Sequence, residues 1–234
     1  MGRPLRRLSQ AAEFMSNQQM TQPHQAPPHQ LALLQARDVC FSHPGRALFS
    51  HWSADIPPGL TLVRGDDGSG KTSLLRLLAG QLPAQAGELH LHGLSLRDAP
   101  EAYRAQVFFT EPRTEAFDAL TPPQYFEAQR QRYPGFDTQE LRRIVDGLAL
   151  DEQMGKQLFM LSTGSKRKVF LAAAFASGAS LSLLDMPFAA LDKRSIACVM
   201  GLLEQAASSA RRAWVVADYA ASAGLRLASV IDLG

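Results

Sequence analysis

Residues 60–72 read LTLVRGDDGSGKT, a short apolar run that opens into a glycine-rich turn ending in Lys71 and Thr72. Within it, GDDGSGKT at 65–72 fits the pattern G-x-x-x-x-G-K-[ST]. The context is the one the chemistry needs: a strand over Leu60–Val63 precedes the turn, and Ser73–Leu78 continues as a helix. Gly65, Gly68 and Gly70 let the backbone curl so that successive N–H groups face one centre. The start of the helix adds its positive end. Such a loop cradles a polyphosphate, with Lys71 reaching the β- and γ-phosphates and the Thr72 hydroxyl placed for Mg²⁺. The candidate nucleotide-binding positions are therefore Gly65, Asp66, Asp67, Gly68, Ser69, Gly70, Lys71, Thr72 and Ser73. The two acids at 66 and 67 are expected to face solvent, away from the phosphates.

Outward from this stretch, short apolar runs alternate with helical stretches, which predicts an α/β domain from about residue 31. Glu88–His92 alternates like an edge strand, and Val107–Phe109, Leu181–Leu184 and Trp214–Ala217 read as short buried strands. Pro122–Arg132, Thr138–Leu148 and Lys166–Phe175 read as helices. No internal repeat is present. His90 and His92 share a face of the presumed strand and read as solvated polar residues.

A phosphate loop alone does not choose between kinases, GTPases and transport ATPases. Two further stretches do. Residues 161–165 read LSTGS, followed by Lys166, Arg167, Lys168 and an alanine-rich helix. A Ser-Gly loop opening a helix is a second anion site. Residues 181–192 then read LSLLDMPFAALD, an apolar strand ending in Asp185, the carboxylate expected to hold Mg²⁺. A P-loop kinase has no need of LSTGS before LLDMP.

The order GxxxxGKT, LSTGS, LLDxP, AALD, at these spacings, resembles the nucleotide-binding subunit of ABC transporters over residues 37–234. The short format and STG-type signature look most like compact exporter-type and haem-exporter-type cassettes. The resemblance implies a P-loop NTPase core with an antiparallel β subdomain and a small helical subdomain, the last at about 110–165. It implies that two cassettes, as a homodimer or heterodimer, sandwich two ATP molecules. Each site pairs the P-loop of one chain with the LSTGS of the other, so that Ser162 and Gly164 hold the γ-phosphate of the partner's nucleotide, with Thr163 between them. Asp192 falls in the loop crossing that interface. ATP and Mg²⁺ are the expected ligands. A separate membrane-spanning subunit is the expected partner, with the chain peripheral on the cytoplasmic face of the inner membrane.

Several positions depart from the family pattern. Where the family has a Glu after the Asp185 position, to polarise the attacking water, this chain has Met186. Asp218 stands at the position of the γ-phosphate-sensing His, in WVVADYA. Glu111 replaces the glutamine that follows the strand Val107–Phe109 and is a candidate Mg²⁺ ligand. His43 stands for the aromatic that stacks on adenine, with Phe41 as its neighbouring alternative. Thr163 replaces the first Gly of the signature pair. The expectation is an intact Mg-ATP site with a damaged hydrolysis centre, since losing a general base costs roughly 10²- to 10⁴-fold in rate. Glu111 and Asp218 are the alternative bases. A non-catalytic ATP-binding partner of a competent cassette is the alternative function.

Composition bounds the remainder. The chain has 234 residues and a net charge of +2, with Arg3, Arg6 and Arg7 against Glu13 in residues 1–30 and a neutral remainder. A neutral body argues against a nucleic-acid binder working through a basic face. Cys40 and Cys198 lie far apart and form no CxxC, which fits a reducing compartment. The longest apolar stretch, Val169–Leu184, is interrupted by Ser and Gly and too short to span a bilayer. Residues 1–30, rich in Gln, Pro and His, are expected to be a disordered tail. A translation-type or DNA-repair-type relative is disfavoured, because the body holds one cassette and no heptad run.

Overall fold

The computed structural model describes residues 32–111, 113–220 and 224–234. The expected tail, 1–30, lies outside the described residues. Two sheets organise the chain. The first is antiparallel, with β1 (Leu34–His43), β2 (Arg46–Ile56), β4 (Ala86–Leu91) and the short β5 (Leu94–Ser95) in the order β2-β1-β4-β5. The second holds β3 (Gly59–Arg64), β6 (Val107–Thr110), β7 (Leu181–Asp185), β8 (Ala213–Asp218) and β9 (Ser229–Asp232) in the order β6-β7-β8-β3-β9. Its strand pairs are all parallel.

Alternation along the parallel strands explains why that sheet is sandwiched. Val63, Leu183 and Val215 face one side, where they pack with Leu74, Leu75 and Leu78 of α1 (Lys71–Leu78). Leu62, Leu184 and Val216 face the other, where they pack with α5 (Thr163–Ala176) and α6 (Lys193–Ala207). Residues buried on both faces need no polar alternation, which is why Leu181–Leu184 and Trp214–Ala217 read as continuous apolar runs. α2 (Pro100–Ala105) is fastened to α1 by Tyr103, whose buried hydroxyl donates to the Leu78 carbonyl at 2.8 Å. The segment between β6 and α5 carries α3 (Pro122–Arg132) and α4 (Thr138–Gly147). Tyr133, at the end of α3, donates to the Val107 carbonyl at 2.8 Å and pins this segment to the edge strand β6.

The sequence reading of Glu88–His92 needs correction. β4 lies inside its sheet, between β1 and β5. His92 falls just past the strand, in a turn with φ 50°, so it does not share a strand face with His90.

Register delivers the site. Val63, Ala217 and Asp185 lie in one row across β3, β8 and β7. Thr110 pairs with Leu184 one row earlier, so Glu111 emerges beside Asp185. All four strands therefore end at the same edge, where open α/β sheets gather their ligand sites.

Gly178, between α5 and β7, sits at φ +69°, and a Cβ there would meet the Gly135 carbonyl oxygen at 2.3 Å. Gly201 lies inside α6, and a Cβ added there would meet nothing within 4 Å. Gly178→Ala is expected to cost about 2–4 kcal/mol, and Gly201→Ala to gain about 0.5–1 kcal/mol from helix propensity. Urea midpoints of the two variants check this. Equal midpoints would show that the Gly135–Gly178 contact does not constrain the fold.

Candidate active site

The loop after β3 curls through Gly68 at φ 78° and Gly70 at φ 102°, which hands Lys71 to the first turn of α1. Lys71 is 8% exposed, and its ammonium donates to the carbonyl oxygens of Gly65 at 2.5 Å and Asp66 at 2.9 Å. Thr72 Oγ1 donates to Asp185 Oδ2 at 2.6 Å, joining α1 to the end of β7. The other carboxylate oxygen, Asp185 Oδ1, is buried without a hydrogen-bond partner, as is Ser69 Oγ in the loop. Burial raises the Asp185 carboxyl above the usual range for aspartate, against the pull of the Thr72 hydroxyl, Lys71 and Arg167.

Gly68, Gly70, Lys71, Thr72, Ser73 and Asp185 line one cavity of about 600 Å³, whereas Gly65, Asp66 and Ser69 are not among its lining residues. Five basic side chains (Arg46, Lys71, Arg76, Arg113 and Arg167) face three carboxylates (Asp67, Glu111 and Asp185), a balance suited to a polyanion. His43 reaches the same cavity from the end of β1, with Nε2 3.0 Å from Ser73 Oγ. Phe41 is buried in the core and meets the His43 ring edge-on at 4.9 Å. His43 is therefore the ring available to a ligand, and Phe41 is its support.

Other expected positions sit differently. Glu111 lines the cavity, and its carboxylate is ion-paired to Arg76 of α1. Asp66 and Asp67 are both exposed, as expected, but Asp67 also lines the cavity. Met186 is half-buried on the cavity wall, at φ 49°, with its N–H donated to the Ala217 carbonyl at 2.9 Å. Asp218 is not among the cavity-lining residues; it accepts from the Tyr219 N–H at 2.8 Å. Tyr219 lines the cavity instead. Sequence reasoning missed Tyr219 by one residue, because β8 runs on to pair Asp218 with Arg64 and leaves the sheet only afterwards. It also missed Arg167, which faces the cavity from α5 and donates to the Ala189 carbonyl.

Ser162, Thr163 and Gly164 do not join this cavity. Ser162 caps α5, its hydroxyl accepting from the Ser165 N–H at 3.1 Å, and both Ser162 and Thr163 are exposed. Gly164 is buried, and a Cβ there would meet the Ala190 carbonyl oxygen at 2.3 Å. Glycine is required because the loop after β7 passes directly against the start of α5. Asp192 ends that loop; it caps α6 and pairs with Lys168 at 2.8 Å. The Lys168 and Ser195 bonds hold its carboxyl well below the usual range.

A parallel sheet with a phosphate loop after β3 and an apolar strand ending in a buried aspartate defines a P-loop nucleotide-binding protein. Residues 49–189 match the ABC transporter family, and the chain belongs to it. It is 34% identical over 173 residues, 74% of this chain and 79% of the relative, to the cytochrome c biogenesis ATP-binding export protein CcmA of Pseudomonas savastanoi. The protein of the same name from Idiomarina loihiensis is 32% identical over 70% of this chain and 76% of its own length. Among solved structures, an ATP-binding subunit of an ABC transporter superposes with TM-score 0.70 at 20% identity, over 79% of each chain. A dimeric cassette in a post-hydrolysis state, bound to ADP and Pi, gives 0.66 at 18% identity, over 80% of this chain and 88% of that one. The chain is an ATP-binding subunit of an ABC transporter and an ABC-type ATPase. Such subunits bind nucleotide, dimerise and work with membrane subunits. Among the described residues no helix is long and apolar enough to cross a membrane.

The raised carboxyl of Asp185 carries a sign. A buried aspartate with a raised pKa is stable in its protonated form. Its contribution is full below the unfolded value of 3.8 and falls as pH rises through the raised folded value. Asp185→Asn is thus expected to raise the melting temperature of the nucleotide-free chain at pH 7 relative to the parent. The gap should close as pH falls into the range where Asp185 is protonated. The same variant should lose the extra stability that Mg²⁺ gives the nucleotide-bound parent. A lower melting temperature for the nucleotide-free variant at pH 7 would show that the Asp185 charge is compensated.

Proposed function

We propose that this chain is the ATP-binding subunit of an exporter acting in cytochrome c biogenesis. In this reading it sits peripherally on the cytoplasmic face of the inner membrane, coupled to a separate membrane-spanning subunit. The names of its CcmA relatives support the process. The domain is residues 31–234, and its helical subdomain, about 110–165, touches the membrane subunit. An apolar groove between α3 and α4, walled by Phe126, Leu141, Val145 and Met154, supports that contact.

The observation that carries the nucleotide reading is the single cavity in which Lys71, Thr72 and Asp185 converge. The loop N–H groups and Lys71 hold the phosphates, and His43 stacks on the base with its ring steadied by Phe41 and Ser73. Thr72 and Asp185, with its unpartnered Oδ1, fit a hard cation that prefers oxygen donors. Bound Mg²⁺ would neutralise charge on the β- and γ-phosphates. Thr72 and Asp185 would hold the cation, with Glu111 on the same cavity wall as a further candidate ligand and with phosphate oxygens and water completing its shell.

The hydrolysis centre is weak in this reading. Met186 offers the attacking water a thioether and no proton acceptor of use. Glu111 stands nearby, but its carboxylate is engaged by Arg76. Asp218 lies off the cavity lining. A second reading, in which the chain is a non-catalytic partner, draws on the exposure of Ser162 and Thr163 at the start of α5. That loop is free to complete another cassette's site while the chain's own site stays idle.

Single-turnover and steady-state ATP hydrolysis separate the outcomes. The parent is expected to bind Mg-ATP and turn over slowly, and Met186→Glu to accelerate hydrolysis by about 10²-fold or more. An ordinary rate in the parent, unchanged in Met186→Glu, would mean that another group positions the water.

A further inference from the structure

Tyr219, the first residue past β8, is 51% exposed and touches the phosphate loop at two points. Its hydroxyl donates to Asp67 Oδ1 at 2.6 Å. Its ring faces Lys71 Nζ, 4.7 Å from the centroid. The ammonium has three protons. The carbonyls of Gly65 and Asp66 take two of them, and the aromatic face meets the side left over.

In a loop of this kind the backbone cradles the inner phosphates, and the lysine reaches the β- and γ-phosphates. The side of the ammonium turned from the loop carbonyls is therefore where a terminal phosphate must bond. A phosphate oxygen needs to come within about 2.8 Å of that nitrogen. The bulk of the phosphate group behind that oxygen then falls in the space the ring holds. Asp67, fixed on the cavity wall by the tyrosine hydroxyl, adds a negative charge beside the same place. A diphosphate bonds the same ammonium through its β-phosphate but brings one phosphate fewer into that space, so its conflict with the ring is smaller.

We propose that Tyr219 is a specificity-determining residue: latched to Asp67, it covers the terminal-phosphate side of Lys71, so that the resting chain takes a nucleoside diphosphate more readily than a triphosphate. Entry of the triphosphate breaks the Tyr219–Asp67 bond and swings the ring away. The bond to Asp67 also raises the Tyr219 hydroxyl above its ordinary value, which extends the pH range over which it remains a donor. The inference rests on the nucleotide-site reading above and adds to it a selection between nucleotides.

The test is titration calorimetry on the full chain with Mg²⁺, using ADP and a non-hydrolysable ATP analogue. The parent is compared with Tyr219→Phe, which keeps the ring and loses the latch, and Tyr219→Ala, which loses both. The preference for the triphosphate over ADP is expected to rise about threefold in Tyr219→Phe and about tenfold in Tyr219→Ala. Affinity for ADP should stay within about twofold in both variants, and unchanged melting temperatures should confirm their folding. A preference that is unchanged, or that shifts further towards ADP, overturns the proposal, the latter because the hydroxyl would then be helping to hold the terminal phosphate. Equal weakening of both nucleotides in the variants also overturns it. Failure of the parent to bind either nucleotide would instead remove the nucleotide-site reading, and this inference with it.

Discussion

The contact between the Thr72 hydroxyl and Asp185, 2.6 Å across, is where separate parts of the chain have to meet. Thr72 is placed by the turn that follows β3, and Asp185 by the last residue of β7. β8 lies between those strands, so the contact exists only if the register of β3 on β8 and of β8 on β7 is right to the residue. A slip of one residue would turn Asp185 to the other face of the sheet and put Leu184 or Met186 in its place. The apolar alternation of Leu62, Val63, Leu183, Leu184, Val215 and Val216 is what prevents the slip, since each is buried on its own side. Core and site are thus one constraint.

Much of this was legible in the sequence, for a physical reason. GDDGSGKT and LLDMP are local patterns, and the sheet edge that unites them is fixed by strand ends that apolar runs mark clearly. Helix α3, begun by Thr121 and two prolines, was readable to the residue. The antiparallel sheet was not: β1 has register shifts against β2 and β4, and its residues mix polar and apolar types without a clean period. The side chains that converge from a distance were also hidden. Arg76 pairs with Glu111 across 35 residues, and Arg167 reaches the cavity from a helix that local reading assigns to a different loop. Tyr219 was missed because nothing in WVVADYA says where the strand ends. Only its pairing with Arg64 tells.

The cavity combines a conventional cation arrangement with an apolar wall. Asp185 keeps one oxygen on Thr72 and one oxygen unpaired, an arrangement costly to hold in a dry interior unless a ligand completes it. Met186, next in the chain, takes a left-handed backbone conformation that places its side chain on the same wall. Electrostatic machinery for holding phosphates therefore stands directly beside a surface that offers water little.

The close approach of Gly164 to the Ala190 carbonyl has a mechanical side. Arg167 is bonded to Ala189, and Lys168 is bonded to Asp192, so the start of α5 grips the loop after β7 at three successive points. That loop and that helix end are thereby joined into one packed unit at the buried end of β7. Contiguous contacts thus run from the cavity wall at Met186 to Ser162 and Thr163, exposed on the outer surface.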